Sequence, residues 1–330
     1  MKVAVVTTSY PRDASDVAGH FVKRQVDAIR GSVDVEVVSP ASFEHFGIAY
    51  GGGIAQNLRA HPWRLALVPA FLAAFARAAR RVDADVVHAH WIPSALAARA
   101  TGKPYVLQVW GTDVELARRM PWLARPLVRG AQCVLAASSF LAREAERLGA
   151  RNVVHVPYIV DVRDAGPADD PPHVLYAGRL SEEKGVLEFA EATRGLDRWI
   201  VGDGPLRPRV PDALGFVPPS EIGGWYERAA VVSTPSRREG VGGACREAMG
   251  VGRAVVATAV GGHVDAITDG VDGVLVPPRD PAALRAAVER LLADPEERAR
   301  LGAAARETAR TAFSPAVAAD ALLGAYAAAA

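Results

Sequence analysis

Thr234-Pro235-Ser236-Arg237-Arg238-Glu239-Gly240-Val241-Gly242-Gly243-Ala244-Cys245-Arg246-Glu247-Ala248-Met249 follows a short apolar run, Ala229–Val232, that is typical of a buried strand. The second half of this stretch carries small and apolar residues that predict a helix, so its glycines lie where a strand gives way to a helix. Glycines let a ligand approach the backbone, and a helix start presents free N–H groups that suit a phosphate. The stretch therefore predicts an α/β fold with a phosphate-binding turn at the end of a strand.

Two carboxylates flank this turn, Glu239 before the helix and Glu247 within it. Eight residues on a helical rise separate them by roughly 12 Å. That is too far for the acid/base pair of a glycosidase, which needs roughly 5–10 Å. The spacing suits the two ends of an elongated ligand with phosphates in the middle, such as a nucleotide sugar. The alternative for each residue is a solvated surface glutamate.

Length and composition describe an ordinary globular protein of 330 residues, long enough for two domains, with 50% hydrophobic and 23% charged residues. A net charge of +1 gives no reason to expect nucleic acid as a partner. Cys133 and Cys245 fit neither a disulfide framework nor a metal motif, and buried thiols are expected. The N-terminal run Val3–Val6 is too short for a signal peptide, and no apolar run of roughly 18 residues is evident, so a cytoplasmic protein is expected.

Short apolar runs predict two successive series of strands separated mostly by helices. The first series is Val3–Thr7, Val33–Val38, Asp85–Trp91, Tyr105–Val109, Cys133–Ala136 and Val153–Val156. The second is Val174–Ala177, Arg198–Val201, Leu214–Val217, Val231–Ser233, Ala254–Ala257 and Val274–Val276. The polar, proline-rich residues 161–172 between them read as a linker. This order predicts two Rossmann-like domains with one cleft between them.

In the first half, polar residues follow the predicted strands. Gly19 lies at a strand-to-helix turn, where backbone could meet phosphate, and His90 and Asp113 lie at or just beyond strand ends, where open α/β sheets place their sites. His88 is expected to be a packed core histidine. His88 and His90 are not predicted to bind a metal together, on the argument that alternate strand residues point to opposite faces.

Three further segments carry less specific signals. Residues 41–57 contain Gly51-Gly52-Gly53 and predict an irregular hinge or lid. Residues 62–81 and 116–129 combine tryptophan and leucine with several arginines. Each is either a core-facing helix with a basic outer face or a surface helix that contacts anionic lipid.

Early in the second half, Arg179 and Lys184 place two cations in one strand-to-helix loop, where they could bind phosphates. Ser181 is predicted to cap a helix beginning near Glu182. Asp203, in the tight turn that follows the next strand, is expected to be structural. The alternative for the cationic loop is a set of surface salt bridges.

Taken together, these motifs resemble the retaining glycosyltransferases of family 4, the group 1 set with the GT-B fold. The matching pieces are Gly178-Arg179-Leu180…Lys184-Gly185, Gly202-Asp203-Gly204-Pro205, Gly215-Phe216-Val217 and Glu239-Gly240-Val241-Gly242…Glu247-Ala248-Met249, which cover most of residues 172–312. The first half is similar to one branch of the family through Ser9-Tyr10-Pro11, Gly19-His20-Phe21-Val22, His88-Ala89-His90-Trp91 and Trp110-Gly111-Thr112-Asp113.

The resemblance implies a domain organisation and a set of site residues. The expected domains are an acceptor domain at 1–163, a donor domain at 172–312 facing it across a cleft, and a helix at 313–330 that crosses back to the first domain. Catalytic roles fall to Glu239, Arg179 and Lys184, and the expected donor-binding residues are Gly19, Gly178, Arg179, Lys184, Gly202, Phe216, Val217, Glu239, Gly240, Val241, Gly242 and Glu247. The acceptor and sugar region is expected around His20, His90, Trp110 and Asp113.

Two departures from the family pattern are visible. Trp110 stands where many members have His, which affects any sugar contact by that side chain. Gly261-Gly262-His263-Val264-Asp265 lacks the usual Pro and has the shorter acid. The helix start there could therefore tilt differently.

The expected reaction is transfer of a sugar, with retention, from a nucleoside-diphosphate sugar to a hydroxyl, a UDP-sugar being favoured and a GDP-sugar next. No cofactor and no metal are expected, because two cations can stabilise the leaving diphosphate. The acceptor is a small molecule or lipid-linked, and residues 62–81 or 116–129 are candidates for peripheral contact with the inner face of the membrane. The alternatives are a nucleotide-sugar epimerase or a phosphorylase on the same fold, and a non-catalytic nucleotide-sugar-binding paralogue.

Overall fold

The computed structural model describes residues 1–13, 16, 19–51 and 53–330, and these divide into two compact units. Unit 1 comprises Met1–Pro157 together with Ala318–Ala330, and unit 2 comprises Tyr158–Val317. The division falls just before the segment that the sequence suggested as linker, residues 161–172. Gly52, part of the predicted hinge, lies outside the described residues.

Unit 1 is built on a parallel sheet with strand order β2-β1-β3-β4-β5-β6 among the residues described. The strands are β1 (Lys2–Thr7), β2 (Asp34–Val38), β3 (Val86–His90), β4 (Tyr105–Val109), β5 (Cys133–Ala136) and β6 (Val153–His155). The helices are α1 (His20–Ile29), α2 (Ile54–Ala60), α3 (Val68–Arg80), α4 (Ala95–Ala100), α5 (Thr112–Arg119), α6 (Pro121–Gly130) and α7 (Ser139–Leu148). The central strands are buried along their whole length, as expected for a parallel sheet covered on both faces.

Unit 2 repeats the arrangement with strand order β11-β10-β9-β7-β8 in its described residues. The strands are β7 (Val174–Ala177), β8 (Arg198–Val201), β9 (Val231–Thr234), β10 (Ala254–Thr258) and β11 (Val274–Val276). The helices are α8 (Val186–Ala192), α9 (Pro219–Arg228), α10 (Gly243–Gly250), α11 (Pro281–Ala293) and α12 (Pro295–Ala312). The α/β class, with two successive parallel sheets, is therefore confirmed.

The last helix, α13 (Pro315–Ala329), belongs mainly to unit 1. Leu322, Ala325 and Tyr326 are buried in one core with Val3 and Leu135. The hydroxyl of Tyr326 lies 2.7 Å from Nδ1 of His88, which satisfies a polar atom inside this core. The buried side of this helix is thus part of the core of the first sheet.

By length and composition, the span Pro295–Ala329 could cross a membrane, with a mean hydropathy of 1.3 in its most apolar window. The expectation that no such run exists was therefore wrong, because many alanines make the end of the chain moderately apolar without large side chains. The same test is passed by core helices. Here the span consists of two helices, since α12 ends at Ala312 and α13 begins at Pro315.

Three local predictions were wrong. Leu214–Val217 is not a strand and forms only isolated bridges at Gly215; Leu214 and Phe216 are more than half exposed, so this apolar run lies at the surface. Ser181 does not cap a helix, because residues 181–185 form turns and α8 begins after Gly185. Part of the predicted irregular segment 41–57 is helical, in α2.

The two basic segments are helical, as both readings of the sequence had it, but each is interrupted. Residues 62–81 form a 3₁₀ helix, Pro62–Leu67, followed by α3. Residues 116–129 span the end of α5 and most of α6. Both cysteines are free and buried, as expected.

Candidate active site

The glycine-rich stretch forms the predicted strand-to-helix connection in unit 2. β9 ends at Thr234 and α10 begins at Gly243, with Gly242 before it in the left-handed conformation, φ 78°. The backbone N–H of Arg246 donates to the carbonyl of Gly242 at 3.0 Å, so the first helical turn is closed. The first N–H groups of a helix have no partner within the helix itself.

A cavity of about 110 Å³ lies at this connection. Its lining comes from the carboxyl ends of β7 and β9, the loops that follow them, the first turn of α10, and one residue after β10. These residues are Tyr176, Ala177, Gly178, Lys184, Ser233, Thr234, Ser236, Glu239, Gly242, Gly243, Ala244, Cys245 and His263. The cavity thus sits where parallel sheets place ligands, beyond the carboxyl ends of the strands.

Glu239 is the best-connected group in this cavity. Its Oε2 accepts from Nζ of Lys184 at 2.7 Å and from Oγ of Ser236 at 3.1 Å. Burial by itself would raise the pKa of Glu239, but the charge and hydrogen bond of Lys184, the charge that His263 carries when it is protonated, and the backbone N–H of Gly242 outweigh it. The net result is a pKa of about 2. Glu239 is therefore a carboxylate at any physiological pH, held by a cation that faces the same cavity.

Two glycines make this geometry possible by letting backbones touch. A Cβ at Gly185 would overlap the carbonyl oxygen of Pro235, and a Cβ at Gly261 would overlap that of Glu239. Both residues have positive φ, 69° and 46°. The loops that follow β7 and β10 are consequently pressed against the loop that carries Glu239.

Glu247 lies outside the cavity lining. Its Oε1 accepts from the hydroxyl of Tyr158 at 2.9 Å, and it is half-buried in α10. Burial chiefly raises the pKa of Tyr226, and the nearby charge of Glu247 adds to this. The two glutamates of the motif are thus in different surroundings. Glu239 lines the cavity, whereas Glu247 lies outside its lining and accepts a hydrogen bond from Tyr158.

The structure brings some of the predicted donor-site residues together and leaves others apart. Gly178, Lys184, Glu239 and Gly242 line the cavity. The predicted residues that are not among its described lining are Gly19, Arg179, Gly202, Phe216, Val217, Gly240, Val241 and Glu247. Of these, Arg179 is exposed, with its carbonyl accepting from Tyr176, and Phe216 presents 56% of its surface to solvent.

Several residues around the cavity were not predicted from the sequence. His263 lies in a 3₁₀ turn after β10 and is fully buried, and Arg246 is buried beneath the same loop with its guanidinium over the ring of Phe313. The sequence signal for His263 was the departure at residues 261–265, where this histidine stands beside the missing Pro and the shorter acid. Asp203 is structural as expected, since its carboxylate accepts from the N–H of Gly204.

In unit 1, His90 and Trp110 are in contact. The indole Nε1 of Trp110 donates to Nδ1 of His90 at 3.2 Å, with the rings stacked at an angle of 14°. His20 packs edge-on against Phe21, and Phe21 packs against Trp110. Gly19, with φ 69°, begins α1 beside this group.

Asp113 has a backbone role that the sequence did not reveal. Its Oδ1 accepts from the N–H groups of Trp110 and Gly111, and its Oδ2 from the N–H of Ile92, at 3.0–3.1 Å. Burial raises the pKa of Asp113, and these hydrogen bonds oppose the rise. A part for this carboxylate in acceptor binding stays a prediction.

The argument against a metal at His88 and His90 was wrong in its geometry. Residues two apart on a strand share a face, and the two imidazole rings lie 4.1 Å apart. Burial lowers the pKa of His88 to about 3 and lowers that of His90 as well. Within the part of the chain that the structure describes, no group of three or more His, Cys, Asp or Glu residues could hold a metal ion.

Comparison with known proteins defines the class. The model for "Glycosyl transferases group 1" matches residues 171–294, and that for "Glycosyltransferase Family 4" matches residues 14–164. The α-D-kanosaminyltransferase of Streptomyces kanamyceticus is 31% identical, over 75% of this chain and 78% of its own. The D-inositol 3-phosphate glycosyltransferase 1 of Catenulispora acidiphila is also 31% identical, over 74% of this chain and 72% of its own.

Solved structures share the fold. Sucrose-phosphate synthase from Thermosynechococcus elongatus has a TM-score of 0.81 at 20% identity, covering 99% of this chain and 98% of its own. Anabaena HepE, solved in complex with UDP-glucose, has a TM-score of 0.72 at 18% identity, covering 99% of both chains. The class is thus that of enzymes that transfer sugars. Within it, this chain belongs to the group 1 glycosyltransferases of family 4 and is of the hexosyltransferase type.

Proposed function

We propose that this enzyme transfers a hexosyl group from a nucleoside-diphosphate sugar to an acceptor hydroxyl, with retention of the anomeric configuration. A UDP-sugar is the favoured donor and a GDP-sugar the next. The observation that carries the proposal is the cavity at the start of α10, which brings Lys184 and Glu239 within 2.7 Å of each other. The neighbour solved with UDP-glucose and the kanosaminyltransferase relative support it.

In this proposal the cationic residues bind the diphosphate and the glutamates bind hydroxyl groups. Lys184, Arg179 and the N–H groups at the start of α10 would bind the diphosphate and stabilise the charge that grows on it as the glycosidic bond breaks. Glu239 would accept hydrogen bonds from hydroxyls of the transferred sugar, and Glu247 from the ribose. The departing phosphate oxygen would take the proton of the acceptor on the same face, so that no separate protein base is required.

We extend the proposal to cofactors: none is needed, and the positive charge comes from Arg179 and Lys184 without a metal ion. Transfer activity measured with and without a chelator tests this directly. Activity that the chelator abolishes and that added Mg²⁺ or Mn²⁺ restores would contradict it.

Donor binding is tested by calorimetric titration of UDP, GDP, ADP and TDP against the wild type, Glu247→Ala and Glu221→Ala. Glu221 is an exposed glutamate of α9 in the same unit and serves as the matched control. We expect one diphosphate to bind without metal, with affinity reduced about tenfold or more by Glu247→Ala and unchanged by Glu221→Ala, since a hydrogen bond to a charged group contributes about 1.5–3 kcal/mol. If none of the four binds, the donor-site proposal is wrong and a non-catalytic paralogue is favoured.

Product analysis distinguishes the remaining enzymes on this fold. A transferase with retention gives a glycoside of the same anomeric configuration as the donor, which proton coupling constants report. An epimerase converts the donor sugar without any acceptor. A phosphorylase requires inorganic phosphate to cleave a glycoside.

The acceptor is a small molecule or a lipid-linked one, and we propose a peripheral location at the inner face of the cytoplasmic membrane. Two surfaces of unit 1 support this: Trp63 and Trp122 are 64% and 74% exposed, and arginines flank both. Exposed tryptophan beside basic residues suits the interface of an anionic bilayer. Co-sedimentation with anionic vesicles, reduced in Trp63→Ser or Trp122→Ser and absent with zwitterionic vesicles, is the expected result.

A further inference from the structure

His263 is a buried polar residue at the cavity to which the proposed function assigns no role. It is fully buried, and it is one of the residues around the cavity, together with Glu239. A Cβ at Gly242 would lie 2.9 Å from its Cδ2, which places the ring directly against the glycine that begins α10. Nε2 lies 3.9 Å from Oε2 of Glu239, so the Cδ2–Nε2 edge of the ring is turned towards two residues of the cavity, Gly242 and Glu239.

The hydrogen bond on the far side of the ring fixes its tautomer. Nδ1 lies 3.0 Å from the carbonyl oxygen of Thr258, so Nδ1 must carry a hydrogen. Burial lowers the pKa of His263, and the ring is therefore neutral at neutral pH. A neutral ring with hydrogen on Nδ1 presents a bare lone pair at Nε2.

That lone pair has nothing to accept from within the described residues. Nε2 is inaccessible to solvent and has no hydrogen-bond partner there. Oε2 of Glu239 lies 3.9 Å from Nε2 and is itself an acceptor. Buried polar atoms are satisfied in the great majority of cases, so an unsatisfied one facing a cavity indicates that a ligand supplies the donor.

We propose that Nε2 of His263 and the carboxylate of Glu239 together accept hydrogen bonds from two neighbouring hydroxyls of the donor sugar. Two adjacent acceptors match a pair of adjacent O–H donors. They do not match a phosphate oxygen, which would meet the lone pair of Nε2 and be repelled. His263 is in this account a specificity-determining residue that selects for a hydroxyl on the transferred sugar, and the inference rests on the proposed donor site.

Two substitutions of His263 separate the hydrogen bond to Thr258 from the acceptor in the cavity. His263→Asn retains an N–H that can reach the carbonyl of Thr258 and removes the acceptor from the cavity. His263→Gln places an amide oxygen near the position of Nε2. The probes are UDP and UDP-glucose, titrated against the wild type and both variants, so that the sugar contact is obtained from the difference.

We expect the affinities of His263→Asn and His263→Gln for UDP to differ from that of the wild type by less than twofold. The affinity for UDP-glucose should fall about 3- to 10-fold in His263→Asn, as for the loss of one hydrogen bond between neutral groups, and be largely kept in His263→Gln. Among monodeoxy analogues of UDP-glucose, the one lacking the selected hydroxyl should bind the wild type and His263→Asn equally well.

Four results would overturn the inference. Equal weakening of UDP and UDP-glucose by His263→Asn would mean that the ring faces the phosphates or supports the loop only. Proton uptake on UDP binding, measured in buffers of different ionisation enthalpy and lost in His263→Asn, would mean that the ring binds phosphate as a cation. Losses that no deoxy analogue cancels would rule out a hydroxyl contact. A wild type that binds neither UDP nor UDP-glucose would reject the UDP-sugar donor site itself, and the inference with it.

Discussion

Replacing Lys184 by methionine removes the cation that holds Glu239 and leaves the carboxylate buried. In the wild type the pKa of Glu239 is about 2, against an ordinary value of 4.5. A difference of about 2.5 units corresponds to about 3 kcal/mol of stabilisation of the folded chain. Because the Lys184 side chain is 35% exposed, water will partly replace it, and we expect Lys184→Met to lower the free energy of unfolding by about 1–2 kcal/mol at pH 7.

The pH dependence of the free energy of unfolding shows whether the loss comes from the charge of Glu239. In the wild type the pKa of Glu239 is lower in the folded than in the unfolded chain, so its stabilising effect is complete above about pH 4.5 and is lost as the pH falls towards 2. In Lys184→Met, burial remains without its main compensation and the pKa of Glu239 rises above its ordinary value. The deficit of the variant should therefore be largest at pH 7 and smaller at pH 5, where the carboxyl is protonated in the fold.

The assay must report on unit 2 alone, because a chain of two units need not unfold in one step. Urea unfolding at pH 7 and pH 5, followed by pulsed hydrogen–deuterium exchange in peptides covering β7 and β9, meets this need. Lys184→Arg should recover most of the loss, Glu239→Gln should suppress the effect in the double variant, and Lys103→Met, an exposed lysine of unit 1, should have no effect. A deficit that is equal at both pH values and persists alongside Glu239→Gln would refute the reasoning.

Two further predictions concern packing. Tyr326→Phe should destabilise unit 1 by about 1–3 kcal/mol and increase amide exchange in α13, because it leaves Nδ1 of His88 buried without its partner; unchanged exchange would contradict this. Gly261→Ala should lower the melting temperature and abolish UDP binding, because its Cβ would overlap the carbonyl of Glu239, whereas Gly224→Ala, in an open helical position, should be neutral or stabilising; equal melting temperatures for the two variants would contradict the close contact.

The sequence predicted the strands and the glycine-rich connection well because these depend on local pattern. Buried runs such as Tyr105–Val109 and Val174–Ala177 are strands with the predicted bounds. Leu214–Val217 has the same apolar character, but its large side chains alternate with Gly215 and point outward. Apolar composition alone does not distinguish a buried strand from a surface segment.

The position of a helix start is a second feature that the sequence predicted poorly. Ser181 had the right residue type for a cap, yet Gly185 with its left-handed backbone begins α8 instead. The reason is the close contact between Gly185 and the carbonyl of Pro235, a residue of a distant loop. No local signal encodes that contact, and the helix start moved four residues as a result.

The contacts of Glu239 also depend on residues that are distant in the sequence, which a local pattern does not predict. The sequence identified this carboxylate through its motif, but Lys184 is 55 residues away along the chain and His263 comes from a third loop. The motif indicated which residues are candidates for the chemistry. Which of them are in contact, and that Arg179 and Glu247 are outside the cavity lining, depends on how the loops pack.

The same packing shows that the Lys184–Glu239 ion pair forms between two loops that other contacts already hold in place. The two loops are already joined by backbone contacts that involve neither charge: Gly185 against the carbonyl of Pro235, and the N–H of Arg237 donating to the carbonyl of Glu183 at 2.8 Å. The ion pair therefore does not have to bring the loops together, and little conformational entropy is lost when it forms. For the same reason, Lys184→Met should change the pKa of Glu239 and the charge in the cavity while the two loops keep their positions.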